Sequence, residues 1–217
     1  MKEPFKLDSR LNLCASFVRK GVKVADIGTD HAYLPVWLCK KGIAISALAC
    51  DIGQEPLQNG LKTIKKYNAE NMVATRLCNG LAKVNDNEAQ DIIIAGMGGE
   101  TIAEIIGDWK FSKNRDKHFI LQPMTKSDEL IEFLYKNGFE ILKQSCCRER
   151  KIYTVMLVEY TGNIQSVSKE FTYLGKLSPK ENSLDREFLQ MEIRNLENKA
   201  KGNKEYKIIA ENLKKEL

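Results

Sequence analysis

The sequence predicts an α/β protein, a doubly wound and mostly parallel sheet with an antiparallel edge hairpin, followed by a C-terminal α-helical hairpin. Three observations carry this. Short apolar runs alternate with helical patterns as far as Tyr160, which implies parallel strands covered on both faces. The last two runs before Tyr160 follow one another with no helix between them, as an antiparallel pair does. After Thr161-Gly162-Asn163 the composition turns to charged helical sequence, so the reading divides the chain into a domain over 1–162 and a helical hairpin over 163–217.

The elements follow in order. Leu7 to Lys20 has Leu11, Cys14, Ala15 and Val18 at helical spacing. Val22 to Ile27 is a buried strand ending in Asp-x-Gly. Pro35 fits only the first turn of a helix, which starts near Tyr33 or Leu34 and stops before Gly42. Ile45 to Cys50 is the second strand, Pro56 to Tyr67 a helix and Met72 to Leu77 the third strand. Asp91 to Ala95 is the fourth, closed by Gly96-Met97-Gly98-Gly99. Glu100 to Trp109 is a helix and Phe119 to Leu121 the fifth strand, ending at Pro123. Lys126 to Asn137 is a helix with Gly138 as its cap, and Phe139 to Gln144 and Ile152 to Tyr160 are the closing strands. Beyond them, Leu184, Phe188 and Met191 stripe one helix, with Leu189, Ile193 and Leu196 beside it. A second helix carries Tyr206, Ile209 and Leu213 past the break at Gly202-Asn203. Self-packing of the two is the simpler account of the stripe.

With 217 residues, 43% hydrophobic and 29% charged, the chain has the composition of a folded globular protein and not of a disordered one. Its net charge of +5 favours polyanions mildly. The six cysteines form no CxxC pair, so neither a zinc site nor a disulfide framework is indicated. Met1-Lys2-Glu3-Pro4 opens no signal-like run and no stretch nears the roughly 18 apolar residues of a membrane span. A soluble cytoplasmic protein without metal, membrane or obligate protein partner is expected.

Ligands on an open parallel sheet lie at the carboxyl ends of the strands, beside the point where strand order reverses. Polar residues gather at those ends. After the first strand, Gly28 lets the backbone turn tightly against a ligand, and Thr29, Asp30 and His31 offer polar groups. Asp26 can organise that turn or receive an ammonium group. Asp51, 23 residues beyond Gly28, is near the spacing that sets a carboxylate on ribose hydroxyls and repels a 2′-phosphate. Thr29-Asp30-His31 replaces the later glycines of a dinucleotide loop, and Asp30 suits a sulfonium and an ammonium better than a pyrophosphate. S-adenosyl-L-methionine is therefore the expected cofactor. Cys78-Asn79-Gly80-Leu81 after the third strand offers hydrogen bonds to an adenine edge, with Leu81 against its face, although Asn-Gly is also an ordinary turn. Three glycines in Gly96-Met97-Gly98-Gly99 give a planar acceptor access to the methyl group. Gly96 is grouped with the cofactor, and Met97, Gly98 and Gly99 with the acceptor. Arg148, Arg150 and Lys151, and Arg19, Lys20 and Lys23, are basic clusters that would contact phosphate if they are not simply solvated surface. His118 reads as structural.

Ser9-Arg10-Leu11, Val24 to Pro35, Ala49-Cys50-Asp51-Ile52, Asn79-Gly80-Leu81, Ile94 to Gly99 and Leu121-Gln122-Pro123-Met124 together resemble the bacterial tRNA (adenine(22)-N(1))-methyltransferase family. Asp-His-Ala-Tyr-Leu-Pro and Gly-Met-Gly-Gly are the specific marks. The resemblance implies a Rossmann-like class I methyltransferase sheet and methyl transfer from S-adenosyl-L-methionine to N1 of an adenosine in tRNA. It carries over Asp26, Gly28, Asp51, Ile52, Asn79, Gly80 and Leu81 as cofactor residues. On that basis Asp30 is the candidate to stabilise the cationic product, with His31 and Tyr33 orienting or stacking. Met97 and Tyr33 are packing surfaces for an unstacked base, and Arg10 lies over the same mouth. A methyltransferase for proteins or metabolites is the rival within the class, to be separated by a labelled-methyl assay on each pool. A non-catalytic RNA-binding module would lack cofactor binding.

Overall fold

The computed structural model describes residues 5–217, so the reading of Met1 to Pro4 lies outside the described residues. The chain runs α1 (Ser9–Phe17), β1 (Val22–Ile27), α2 (Tyr33–Lys40), β2 (Ala44–Asp51), α3 (Gln54–Lys66), β3 (Val73–Leu77), β4 (Asp91–Gly98), α4 (Gly99–Asp108), β5 (His118–Thr125), α5 (Ser127–Lys136), β6 (Phe139–Arg148), β7 (Ile152–Tyr160), α6 (Lys169–Leu174), α7 (Ser183–Lys199) and α8 (Glu205–Leu213). One seven-stranded sheet has the order β3-β2-β1-β4-β5-β7-β6. β1 to β5 are parallel, while β7 runs antiparallel to both β5 and β6. The chain fills the sheet in one direction from β1 to β3 and then in the other from β4. The switch point is the crevice between the ends of β1 and β4.

Alternation along the central strands fills both faces, as an all-buried sheet requires. Ala25, Ile92, Ile94, Phe119 and Leu121 face α4 and α5, where Ile102, Ile106, Leu130 and Leu134 are fully buried. Val24, Ile93 and Ile120 face the opposite way, onto Cys14 and Phe17 of α1, Leu34 and Leu38 of α2 and Ile64 of α3. A third cluster, including Leu189, Ile193, Leu196, Ile209 and Leu213, joins α7 to α8. α6, absent from the sequence reading, adds Tyr173 to that cluster and packs on both neighbours. Asp8 caps α1 by accepting the Leu11 N–H at 2.7 Å, and Ser168 caps α6 in the same way at 3.1 Å.

The fourth, fifth and sixth strands run longer than their apolar cores suggest. The glycine-rich segment expected to close the fourth strand instead continues it, Met97 pairing with Pro123 and Gly98 with Thr125 across two register shifts. Pro123 has no N–H for the ladder, and irregular register is where a strand tolerates it. The extension holds the Gly96–Gly98 arm against β5 instead of leaving it a free loop.

Candidate active site

Gly28 closes β1 in the left-handed region, with φ at +79°, where a side chain would be strained. Its N–H and that of Thr29 both donate to the Cys50 carbonyl, at 2.9 and 3.0 Å, tying this turn to the end of β2. The side chain of Met97 lies across Gly28, with its methyl carbon 2.2 Å from where a Cβ would stand. Ala32 is also left-handed, with φ at +53°. Gly60 approaches it closely, since a Cβ on Gly60 would sit 3.2 Å from the Ala32 methyl. Strain gathered in a strand-to-helix turn is characteristic of sites built for a ligand.

Inside that turn is a cavity of about 220 Å³ lined by Arg10, Asp26, Gly28, Thr29, Asp30, His31, Tyr33 and Ala95, among others. Asp26 is buried, and burial pushes its carboxyl up to about 6 against the opposing pull of the Thr29 hydroxyl and the Arg10 guanidinium. A nearly dry carboxylate with only part of its hydrogen-bonding capacity used is suited to a cationic ligand. Arg10 comes from α1 and is held by Gln122, whose Oε1 accepts from Arg10 Nη1 and from the Gly96 N–H, both at 3.0 Å. The amide nitrogen of Gln122 donates to the Pro123 carbonyl at 2.9 Å. Gln122 is fully buried, and it fastens the N-terminal helix, the Gly96 arm and β5 to one another.

Asp51, Ile52, Asn79, Gly80, Leu81, Met97, Gly98 and Gly99 lie along the same carboxyl edge, outside that cavity. Asp51 ends β2 and accepts the Gly53 N–H at 2.8 Å through one oxygen, which fixes the carboxylate. The backbone carbonyl of Asp51 accepts the Cys78 N–H at 2.9 Å, bringing Asn79 alongside. Ile52 is 72% exposed, an apolar shelf next to a carboxylate. Gly80 is left-handed and packs on Ile105. Leu81 is 2% exposed and packs in the core with Ile27 and Ile94, so its side chain supports the loop from below and the exposed apolar face on this edge belongs to Ile52. Asp30 and His31 are a solvent-facing pair, Nε2 to Oδ2 3.2 Å, with the His31 and Tyr33 rings 5.6 Å apart. On the other side of the mouth, Gly99 approaches the turn between β5 and α5 so closely that a Cβ would lie 2.1 Å from the Lys126 carbonyl oxygen. Gly98 faces Thr125.

The basic clusters divide. Arg19 lies at the amino edge of the sheet and pairs with the fully buried Asp91, Nη2 to Oδ1 2.6 Å, while Lys23 donates to the Asn87 carbonyl at 3.0 Å. That group braces the fold away from the mouth. Arg148 pairs with Glu187 of α7 at 2.6 Å, linking the sheet to the C-terminal helices. His118 is half-buried at the start of β5, and burial holds its imidazole below the ordinary value. Gln122 stands within Leu121-Gln122-Pro123-Met124, but the sequence reading gave it no role. Its signal was an amide inside an otherwise apolar strand, and buried polar groups in such places are the informative ones.

A doubly wound sheet with a glycine turn, a buried carboxylate and a second carboxylate at successive strand ends defines a nucleoside-cofactor enzyme of the methyltransferase class. The family model for the methyltransferase domain matches residues 7–156. The tRNA (adenine(22)-N(1))-methyltransferase of Bacillus subtilis is 33% identical over 155 residues, which are 71% of this chain and 65% of that protein. A Streptococcus pneumoniae protein in complex with S-adenosyl-L-methionine superposes with a TM-score of 0.87 at 30% identity, covering 97% of this chain and 99% of that one. The M. capricolum TrmK complex with S-adenosyl-homocysteine superposes at 0.79 with 28% identity, over 97% and 96%. The chain belongs to the bacterial tRNA (adenine(22)-N(1))-methyltransferase family.

Proposed function

We propose that the protein transfers the methyl group of S-adenosyl-L-methionine to N1 of adenosine 22 in tRNA. The observation that carries this reading is the union of a buried carboxylate, Asp26, with a glycine-lined opening at Gly96–Gly99, joined through Arg10 and Gln122. The 220 Å³ cavity is too small for a whole nucleoside cofactor and suits a methionyl tail, the ammonium on Asp26 and the turn at Gly28 and Thr29 beneath it. Adenosine then lies outward along Ile52, with Asp51 on the ribose hydroxyls and Asn79, Gly80 and the Leu81 backbone at the base edge. Gly96 closes the cofactor side. Met97, Gly98, Gly99 and Arg10 border the acceptor.

The cofactor supplies a methyl group made electrophilic by its sulfonium. The lone pair of adenine N1 forms the new bond to carbon while the sulfur–carbon pair returns to sulfur, so no strong base is needed and positioning is the main task of the protein. The base becomes cationic. Asp30, held beside His31 at the rim, provides the carboxylate that stabilises this charge, and Tyr33, 44% exposed, gives the base a surface to stack on. Among the described residues no helix is long and apolar enough to cross a membrane and no cluster of metal ligands is found, and the reading places the enzyme with its tRNA in the cytoplasm. Mass spectrometry of nucleosides from unmodified tRNA incubated with protein and cofactor is the test. 1-Methyladenosine at position 22 is expected, and its absence with folded, cofactor-binding protein would overturn the assignment.

A further inference from the structure

A second cavity, of about 510 Å³, opens between the end of β5 and the C-terminal helices. It shares a wall with the acceptor mouth. Thr125 and Lys126, which line it, are the residues that meet Gly98 and Gly99 across the strand pair. Another wall is formed by Tyr173, Met191 and Tyr206. Its floor is acidic. The Asp128 carboxylate lies near the Tyr173 hydroxyl, and Glu192, half-buried beside it, has its carboxyl pushed upward by burial and by the nearness of Asp128. Exposed cations stand at the rim, Lys199 over the Tyr206 ring at 5.5 Å, and Lys151.

This arrangement is selective. Carboxyl groups at the floor turn away phosphate and demand N–H donors, aromatic walls favour a planar ring, and rim lysines suit the phosphates on either side of it. We propose that the cavity takes a second, unstacked nucleotide of the RNA substrate, one whose base edge presents adjacent N–H donors as guanine does, while the target adenosine occupies the Gly96–Gly99 mouth. The imino and amino groups of guanine match the two oxygens of one carboxylate, whereas the edges of adenine and uracil do not offer two neighbouring donors. The inference rests on the proposed tRNA activity, and it makes the C-terminal helices a specificity element.

Fluorescence anisotropy with a labelled, unmodified tRNA transcript tests it. Glu192→Gln and Tyr206→Ala should each weaken tRNA binding on the order of tenfold, with cofactor affinity and melting temperature at wild-type values for Glu192→Gln. Replacing guanosines near the target adenosine by inosine, one at a time, should reveal one position where wild type loses a similar factor and Glu192→Gln loses nothing further. Binding equal to wild type for both variants, or a loss that is uniform across all transcripts, would overturn the site. A protein partner in this cavity would give that first result. Nucleoside analysis of the wild-type reaction reports separately on the activity, so a methylating enzyme with indifferent variants fails this site alone.

Discussion

Arg10 and Gln122, 112 residues apart, share a hydrogen bond of 3.0 Å, and the same amide oxygen takes the Gly96 N–H. One buried side chain thus sets the position of a cation, a glycine arm and a strand end. Gln122→Met keeps the volume and removes the acceptor. Stranding a buried N–H and part of a guanidinium should lower stability by about 1–3 kcal/mol and weaken cofactor binding. Denaturant unfolding and calorimetry would show both. Wild-type cofactor affinity in a destabilised variant would limit Gln122 to a structural role.

Asp26 gives a pH dependence whose sign follows from its raised carboxyl. The folded value of about 6 lies above the ordinary carboxylate value of 3.8, so the native state holds the proton more tightly than the unfolded chain. The site is then least favourable to folding above pH 6, where the buried group is charged, and the penalty fades as pH falls toward 4. Asp26→Asn should raise apo-protein stability by about 2–3 kcal/mol at pH 8, with little difference from wild type at pH 4. The same change should abolish cofactor binding. Wild-type binding should weaken below pH 6 as the carboxylate is neutralised, a trade of stability for function at a ligand site. An apo protein that loses stability on Asp26→Asn would contradict this account.

Asp30 is 73% exposed at its side chain and takes no part in the core. Asp30→Ala is expected to leave the melting temperature and cofactor affinity unchanged while kcat on tRNA falls on the order of a hundredfold. Unchanged turnover would remove Asp30 from the mechanism.

Arg19 neutralises Asp91, which is wholly buried. Arg19→Met leaves that charge without its partner, and a loss of about 3–5 kcal/mol is expected. The salt dependence of tRNA binding should not change, because this arginine lies at the opposite edge of the sheet from the mouth. A shallower salt slope would return Arg19 to the RNA interface.

Much of this organisation is visible in local sequence. Val22–Ile27 appears with its observed ends, and Asp26, Gly28, Asp51 and Asn79 fall at strand ends because alternating buried strands and helices leave few places for polar residues. What escapes is non-local. The strand character of Met97 and Gly98 depends on pairing with Pro123 and Thr125, and glycine and proline conceal it. Arg19 reads as a surface cation until Asp91, 72 positions later, is placed beside it. α6 is six residues long, too short for a periodic signal, and takes its stability from packing on α5 and α8. Leu81 looks the same in sequence whether it faces a ligand or the core.

The first helix lies against strands that are synthesised last. Lys143 of β6 sits 4.8 Å over the Phe17 ring, and the Ser9 N–H donates to Glu149 at the start of the β6–β7 turn. Such wiring makes contacts of large sequence separation decisive, and these close slowly. An emerging chain already carries Asp26 and Asp51 when β2 is made, yet Arg10 finds its seat only after β5 has supplied Gln122 and β6 and β7 have given α1 a surface to dock on. The proposed methyl transfer therefore calls for the finished domain, because the seat of Arg10 is assembled from segments far apart in the chain.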